Sequence, residues 1–207
     1  MSTTAATSAT AVATSDDVAP DAVPAVAELP APGIWTIDPG HAEVGFVGRH
    51  FGLTKVRGRF TRVEGAVTFA AEPSRSTVEV TIDMASVRSG DRARDDHLRS
   101  PDFFDVEQHP TATFRSTSAT VDGTRATVVG DLTIKGVTRA VRLDVVVVGQ
   151  ADDPWGNRRA VLSAQGTINR EDWGLTWNMV LEAGGLLVSR EIRLEIEVEL
   201  IQAPVAG

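Results

Sequence analysis

The run REIRLEIEVEL, residues 190–200, decides the fold class. Ile192, Leu194, Ile196, Val198 and Leu200 fall on one side of an extended chain. Glu191, Arg193, Glu195, Glu197 and Glu199 fall on the other. Successive strand residues point to opposite faces, so this period of two predicts a strand with one dry face and one wet face.

Working outward, the same alternation groups Val141, Leu143, Val145 and Val147, then Val128, Gly130, Leu132 and Ile134, then Val78, Val80 and Ile82. Further strands are predicted near 34–38, 43–51, 55–69, 111–120 and 159–169, which makes about eight or nine in all. The punctuation agrees. Asp122-Gly123 is a two-residue hairpin signal, Lys135-Gly136 marks another tight turn, and DDPWGN at 152–157 reads as a longer loop. Short turns between consecutive strands imply antiparallel pairing, because parallel neighbours need long crossovers.

Two stretches break the pattern. GDRARDDHLRSPDFFD, 90–105, is too charged for a strand. Residues 91–99 are predicted to form a short helix, with Arg94 and Leu98 on one side, an Asp95–Arg99 pair four apart, and Pro101 ending it. With Phe103 and Phe104 following at once, the segment reads as a lid over one end of the sheet. The second stretch, 170–189, is rich in large apolar residues (Trp173, Leu175, Trp177, Met179, Leu181) and carries Gly184-Gly185 as a hinge-like break.

Composition bounds the function. Of the net charge of −8, half sits in residues 1–33, which hold Asp16, Asp17, Asp21 and Glu28 and no Lys or Arg. The remainder is nearly balanced, so the basic surface that nucleic acid or an anionic membrane requires is not expected. With no Cys, thiolate chemistry, disulfides and Cys-ligated metals are excluded. His41, His50, His97 and His109 show neither strand i,i+2 nor helix i,i+4 spacing, and no metal site or cofactor is expected. No stretch approaches the ~18 apolar residues of a membrane span. The opening MSTTAATSATAVATSDD has neither a basic n-region nor a long apolar h-region, which leads to an expectation of cytoplasmic residence. Residues 1–33, Ala/Thr/Ser-rich with Pro20, Pro24, Pro30 and Pro32, are expected to be a disordered tail, and 34–203 a single domain.

Antiparallel strands with one dry face either pack as two sheets or close into a barrel. A barrel of about eight strands is filled by side chains or holds one small ligand. Here the dry-face positions are mostly Val, Ala, Gly and Thr, and aromatics make up only 5% of the chain, which leaves room inside.

Four ordered motifs carry a more specific resemblance: IWTIDPGHAEVGFVGRHFGLTKVRGRF at 34–60, RARDDHLRSPDFFDVEQHPTATFRS at 92–116, GDLTIKGVTRAV at 130–141 and INREDWGL at 168–175. Together they resemble the YceI-like family. That resemblance implies an all-β, antiparallel, eight-stranded lipocalin-like barrel with a short helical lid. Its apolar pore would hold a long-chain molecule: a polyisoprenoid, an isoprenoid quinone or a similar lipid. It also implies relatives that are periplasmic and relatives that dimerise, and a homodimer is expected here. The implied ligand wall comprises Phe46, Phe60, Val80, Ile82, Leu98, Phe103, Phe104, Phe114, Leu132, Ile168, Trp173 and Leu175, with Arg94 or His97 meeting a head group. Either residue could instead, together with Asp95, tie the lid to the barrel.

Two other readings stay open. A shaped apolar cavity can cyclise or dehydrate a polyketide- or terpenoid-like substrate with a few acid–base groups in its wall, for which Asp38, His41, Glu43, His50 and Arg170 are the candidates. No Gly-x-Ser-x-Gly elbow or phosphate loop supports a hydrolase or nucleotide enzyme. A structural or interaction domain would show a filled core and an exposed apolar patch instead.

Overall fold

The structure is a computed structural model that describes residues 28–179 and 187–204. The strands are β1 (Gly33–His50), β2 (Thr54–Phe60), β3 (Val63–Phe69), β4 (Thr77–Asp83), β5 (Val87–Arg88), β6 (Thr111–Asp122), β7 (Arg125–Ile134), β8 (Val137–Asp152), β9 (Arg158–Asn169) and β10 (Glu191–Gln202). The helix α1 spans Arg92–Arg99. All strand pairings are antiparallel, and the sheet β10-β9-β8-β7-β6-β4-β3-β1 closes on itself where β1 pairs with β10.

The ten strands run as eight staves. β3 pairs with the first residues of β1, and β2 with its last ones. β4 pairs with β3, and β5 pairs with β2. So β2/β3 is one stave broken at Thr61-Arg62, and β4/β5 is the next, broken at Met84–Ser86. Ser86, 1% exposed, holds both breaks. The Thr61 and Arg62 amides donate to its Oγ at 3.2 and 3.1 Å, and that hydroxyl donates to the Asp83 carbonyl at 2.6 Å. Backbone groups that the ladder leaves unpaired must be met in this way when they are buried.

The turns follow their residues. Gly123-Thr124 joins β6 to β7, with Gly123 at φ +57° and Asp122 paired to Arg125, so the two-residue loop sits one position later than Asp122-Gly123. Lys135 and Gly136 both take positive φ (49° and 74°), as a two-residue loop twisted to match its strands requires. In the 153–157 loop the Asp153 carboxylate accepts from the amides of Trp155 and Asn157.

β10 alternates as its sequence predicts. Ile192, Leu194, Ile196 and Val198 face the interior and are only half-buried, because that interior is open space. α1 caps one end of the barrel. Asp91 accepts from the Arg94 amide at its N-terminus. The expected Asp95–Arg99 pair does not form. Asp95 is turned inward, 7% exposed, and accepts from the amide and hydroxyl of Ser89 at 2.7 and 2.5 Å. Arg99 pairs with Asp96 and donates to the carbonyls of Ala85 and Val87. Helix spacing brought both carboxylates within reach of Arg99, and the backbone of Ser89 claimed one of them.

Residues 1–27 lie outside the described residues, as do Leu181 and the Gly184-Gly185 pair. Of the segment before β1, Leu29, Pro30 and Ala31 pack at the end of the barrel opposite α1. There Ala31 O accepts from the Trp35 indole at 3.0 Å, and Glu28 O from Gln150 at 2.9 Å. No helix among the described residues is long and apolar enough to cross a membrane.

Candidate ligand-binding lumen

Inward side chains from all eight staves enclose a cavity of about 870 Å³. That lies in the upper part of the range of small-molecule sites, about 300–1,000 Å³. The 12 residues of β10, at about 3.3 Å each and tilted by about 40°, give the barrel a height of about 30 Å. The space is therefore a tube.

Small residues keep the tube open. Val141, Leu143, Val145 and Val147 of β8, and Val78, Val80 and Ile82 of β4, present their short side chains to it. Two larger rings lie against the wall rather than across the lumen because a glycine sits beneath each. A Cβ at Gly58 would stand 2.2 Å from the Phe46 ring, and one at Gly130 would stand 2.4 Å from the Phe114 ring.

Of the wall residues expected from the sequence, Phe46, Phe60, Val80, Ile82, Leu98, Phe103, Phe104, Phe114, Leu132, Ile168 and Leu175 all line the cavity, and so do Arg94 and His97. Trp173 does not. It is 2% exposed, packed behind the wall, with its indole N–H donating to Leu132 O at 3.0 Å. Its position one residue before the αL Gly174 turns it into the core, while Leu175 beyond the turn reaches the lumen. The sequence reading missed Leu29–Pro32, whose lone Leu in an Ala/Pro segment was the only available signal.

Aromatic contacts close the α1 end. Phe46, Phe60 and Phe104 form a chain with ring centroids 5.7 and 5.6 Å apart. Trp177 packs edge-on against His97 at 4.5 Å and lies 5.4 Å from Phe103. His97 also bonds Asp102 at 3.1 Å, and Lys135 Nζ donates to Pro101 O, so the cap is fastened to the β7–β8 hairpin. Arg94 is exposed on α1 and donates to the hydroxyl and carbonyl of Ser89. Arg94 and His97 thus help to fasten the cap, and both line the lumen.

The polarity is one-sided. Arg49, His50, Arg94, His97 and Arg170 line the α1 end, and among the described residues no carboxylate lines the cavity. Arg170 is the unusual member at 3% exposed. Its Nε donates to Ser189 O at 2.9 Å and its Nη1 to Leu175 O, while its Nη2 has no partner among the described residues. Burial lowers its pKa from the ordinary value; Glu171 opposes that shift and Arg190 adds to it.

The acid–base set of the catalytic reading does not converge. Only His50 and Arg170 of it line the lumen. Glu43 alternates outward between Ala42 and Val44 and pairs with Arg59 at 3.0 Å. Asp38 and His41 sit in a bulge of β1, where four residues separate Ile37 from Ala42 while only Glu199 separates their partners on β10. Ligand atoms of Asp38, His41 and Glu199 lie within 4.8 Å of one another, a cross-strand grouping that histidine spacing could not reveal. Its charge is answered by Arg159, whose Nη1 reaches Asp38 at 2.7 Å and Glu199 at 3.3 Å and whose Nε reaches Asp153 at 2.8 Å. Chiefly through the Arg159 hydrogen bond, and then through His41 and the Gly40 amide, the Asp38 carboxyl is lowered to about 2.

A closed eight-stave antiparallel barrel with an apolar lumen and a helical cap defines the lipocalin-like class of barrels. Within that class, the chain belongs to the YceI-like family, whose domain matches residues 35–200. A UPF0312 protein of Pectobacterium carotovorum is 42% identical over 160 residues, covering 77% of this chain and 80% of that protein. The crystal structure of BcnA from Burkholderia cenocepacia shares the fold with a TM-score of 0.69 at 24% identity, over 79% of this chain and 98% of that one. A polyisoprenoid-binding domain from Saccharophagus degradans, implicated in plant cell wall breakdown, shares it with a TM-score of 0.61 at 16% identity, over 82% and 98%.

Proposed function

We propose that this protein encloses one long-chain apolar molecule, a polyisoprenoid, isoprenoid quinone or similar lipid, and carries or sequesters it. The observation that carries this reading is the tube of about 870 Å³ walled by aliphatic and aromatic side chains. A hydrocarbon chain offers such a wall only area to bury, worth about 2.5 kcal/mol per 100 Å². Affinity therefore rises with chain length until the tube is full. The Saccharophagus relative in fold, a polyisoprenoid-binding domain, supports the ligand class. A homodimer and a cytoplasmic location belong to the same proposal; light scattering and cell fractionation test them.

Native mass spectrometry of the protein purified from its own host, followed by organic extraction, tests the reading. A stoichiometric long-chain isoprenoid or lipid is expected. A protein that is empty as isolated, and that also fails to take up added polyprenyl compounds, would overturn it.

A further inference from the structure

A buried guanidinium needs a counter-charge or a full set of hydrogen bonds, because leaving it unpaired in an apolar setting is costly. Arg170 has neither among the described residues. Two of its nitrogens are used on the carbonyls of Ser189 and Leu175, and among the described residues Nη2 is unpartnered and no carboxylate lies within salt-bridge reach. The nearby Glu171 is instead engaged by Arg190 at 3.1 Å. The side chain forms part of the lumen wall, and the other cationic lining groups, Arg49 and Arg94, share its end of the tube. Among the described residues the opposite end contributes only Ser76 and Thr124 as polar lining residues besides the backbone.

We propose that Arg170 is the head-group anchor of the lumen. This rests on the ligand-carrier reading above and narrows its ligand class. The occupant is an amphiphile with one anionic oxygen head, a carboxylate or a phosphate. That head accepts from Arg170 Nη2 beneath the α1 cap, and the tail runs toward Leu29–Pro32. The planar fork of arginine suits either head, since both present oxygen pairs to its N–H groups. A plain alcohol or hydrocarbon would satisfy the wall and leave the charge unanswered.

The test is a head-group series on one tail: hexadecyl phosphate, palmitate and 1-hexadecanol, each titrated by calorimetry. The native protein is expected to bind at least one of the anions ten times or more tighter than the alcohol, and the tighter of the two identifies the head. Because Arg170 also fastens two carbonyls, Arg170→Gln is paired with Arg170→Lys. The Gln form is expected to lose the preference and keep the alcohol affinity, while the Lys form retains part of the preference. Equal binding of all three molecules by the native protein overturns the anchor and leaves the apolar-tube reading standing. Binding of none of them overturns both. A preference that survives Arg170→Gln in a folded protein overturns the anchor as well.

Discussion

The ring of Phe46 on β1 lies over Gly58, its directly paired partner on β2, so closely that a Cβ there would stand 2.2 Å from the ring's Cζ. No other contact of that Cβ position is closer than the ring itself, so the ring is what must move. Gly58→Ala is therefore expected to swing Phe46 into the lumen. The overpacking costs about 1–3 kcal/mol. Chemical denaturation reads that loss, and a chain-length series reads the shortened tube: the longest chain that still gains affinity becomes shorter. An unchanged length profile would show that the ring finds room elsewhere.

Phe103 and Trp177 pack against each other at the α1 end, and Phe104 lines the lumen beside them. Phe103→Ala with Phe104→Ala is expected to speed ligand release, about tenfold for each 1.4 kcal/mol of closure lost. Phe104 also belongs to the barrel core, and large-to-small changes there cost about 3–5 kcal/mol. Phe103→Ala alone is the milder form of the experiment. Stopped-flow displacement measures the rate, and a release rate unaffected in both variants means the cap is not the exit.

Trp173 separates wall from support. Trp173→Phe keeps the apolar bulk and removes the indole hydrogen bond to Leu132 O, which is expected to cost about 0.5–1.5 kcal/mol in thermal or urea unfolding. Ligand affinity should not change, since the indole lies behind the wall. A large loss of affinity at unchanged stability would put Trp173 in the lumen after all.

The Asp38–Arg159 network sets an acid limit. The Asp38 carboxyl ionises at about 2 in the fold against an ordinary 3.8. Burial would raise Asp153, but hydrogen bonds from Arg159, Asn157 and Trp155 outweigh it and hold that carboxyl well below its usual range. A lowered folded value means that the unfolded chain takes up protons first as pH falls. The stabilisation is thus whole above about pH 4 and is lost as pH falls toward 2. Arg159→Gln returns both carboxyls toward their ordinary range, so it is expected to weaken the fold near neutral pH and to move acid unfolding to higher pH. Tryptophan fluorescence against pH reads both effects, and coincident acid transitions for the two proteins would contradict the network.

Much of the fold was legible along the chain. Alternation at 190–200 gave β10 and its inward face, Lys135-Gly136 gave its hairpin, and GDRARDDHLRSPDFFD gave the capping helix with its two phenylalanines. The strand members of the lumen lining were legible from parity, whereas Leu98, Phe103, Phe104 and Leu175 lie outside the strands and were implied by the family resemblance. Trp173, at the end of a 3-10 turn before the left-handed Gly174, turns behind the wall. What could not be read locally were the partnerships across long stretches of chain. Arg159 meets Asp38 from 121 positions along the chain, and Ser86 mends the break within the β2/β3 stave at Thr61-Arg62.

The sequence by itself determined the strands, their dry faces and the antiparallel turns, because period two and turn chemistry act between near neighbours, and its four motifs carried the family resemblance. Only the tertiary structure decided that ten strands close as eight staves and that the lumen stays open. It also decided that Arg170, at one end of the tube, has a donor with no partner among the described residues. Closure, volume and hydrogen-bond satisfaction are properties of the whole barrel. They depend on which side chains meet across it, and no local pattern encodes that meeting.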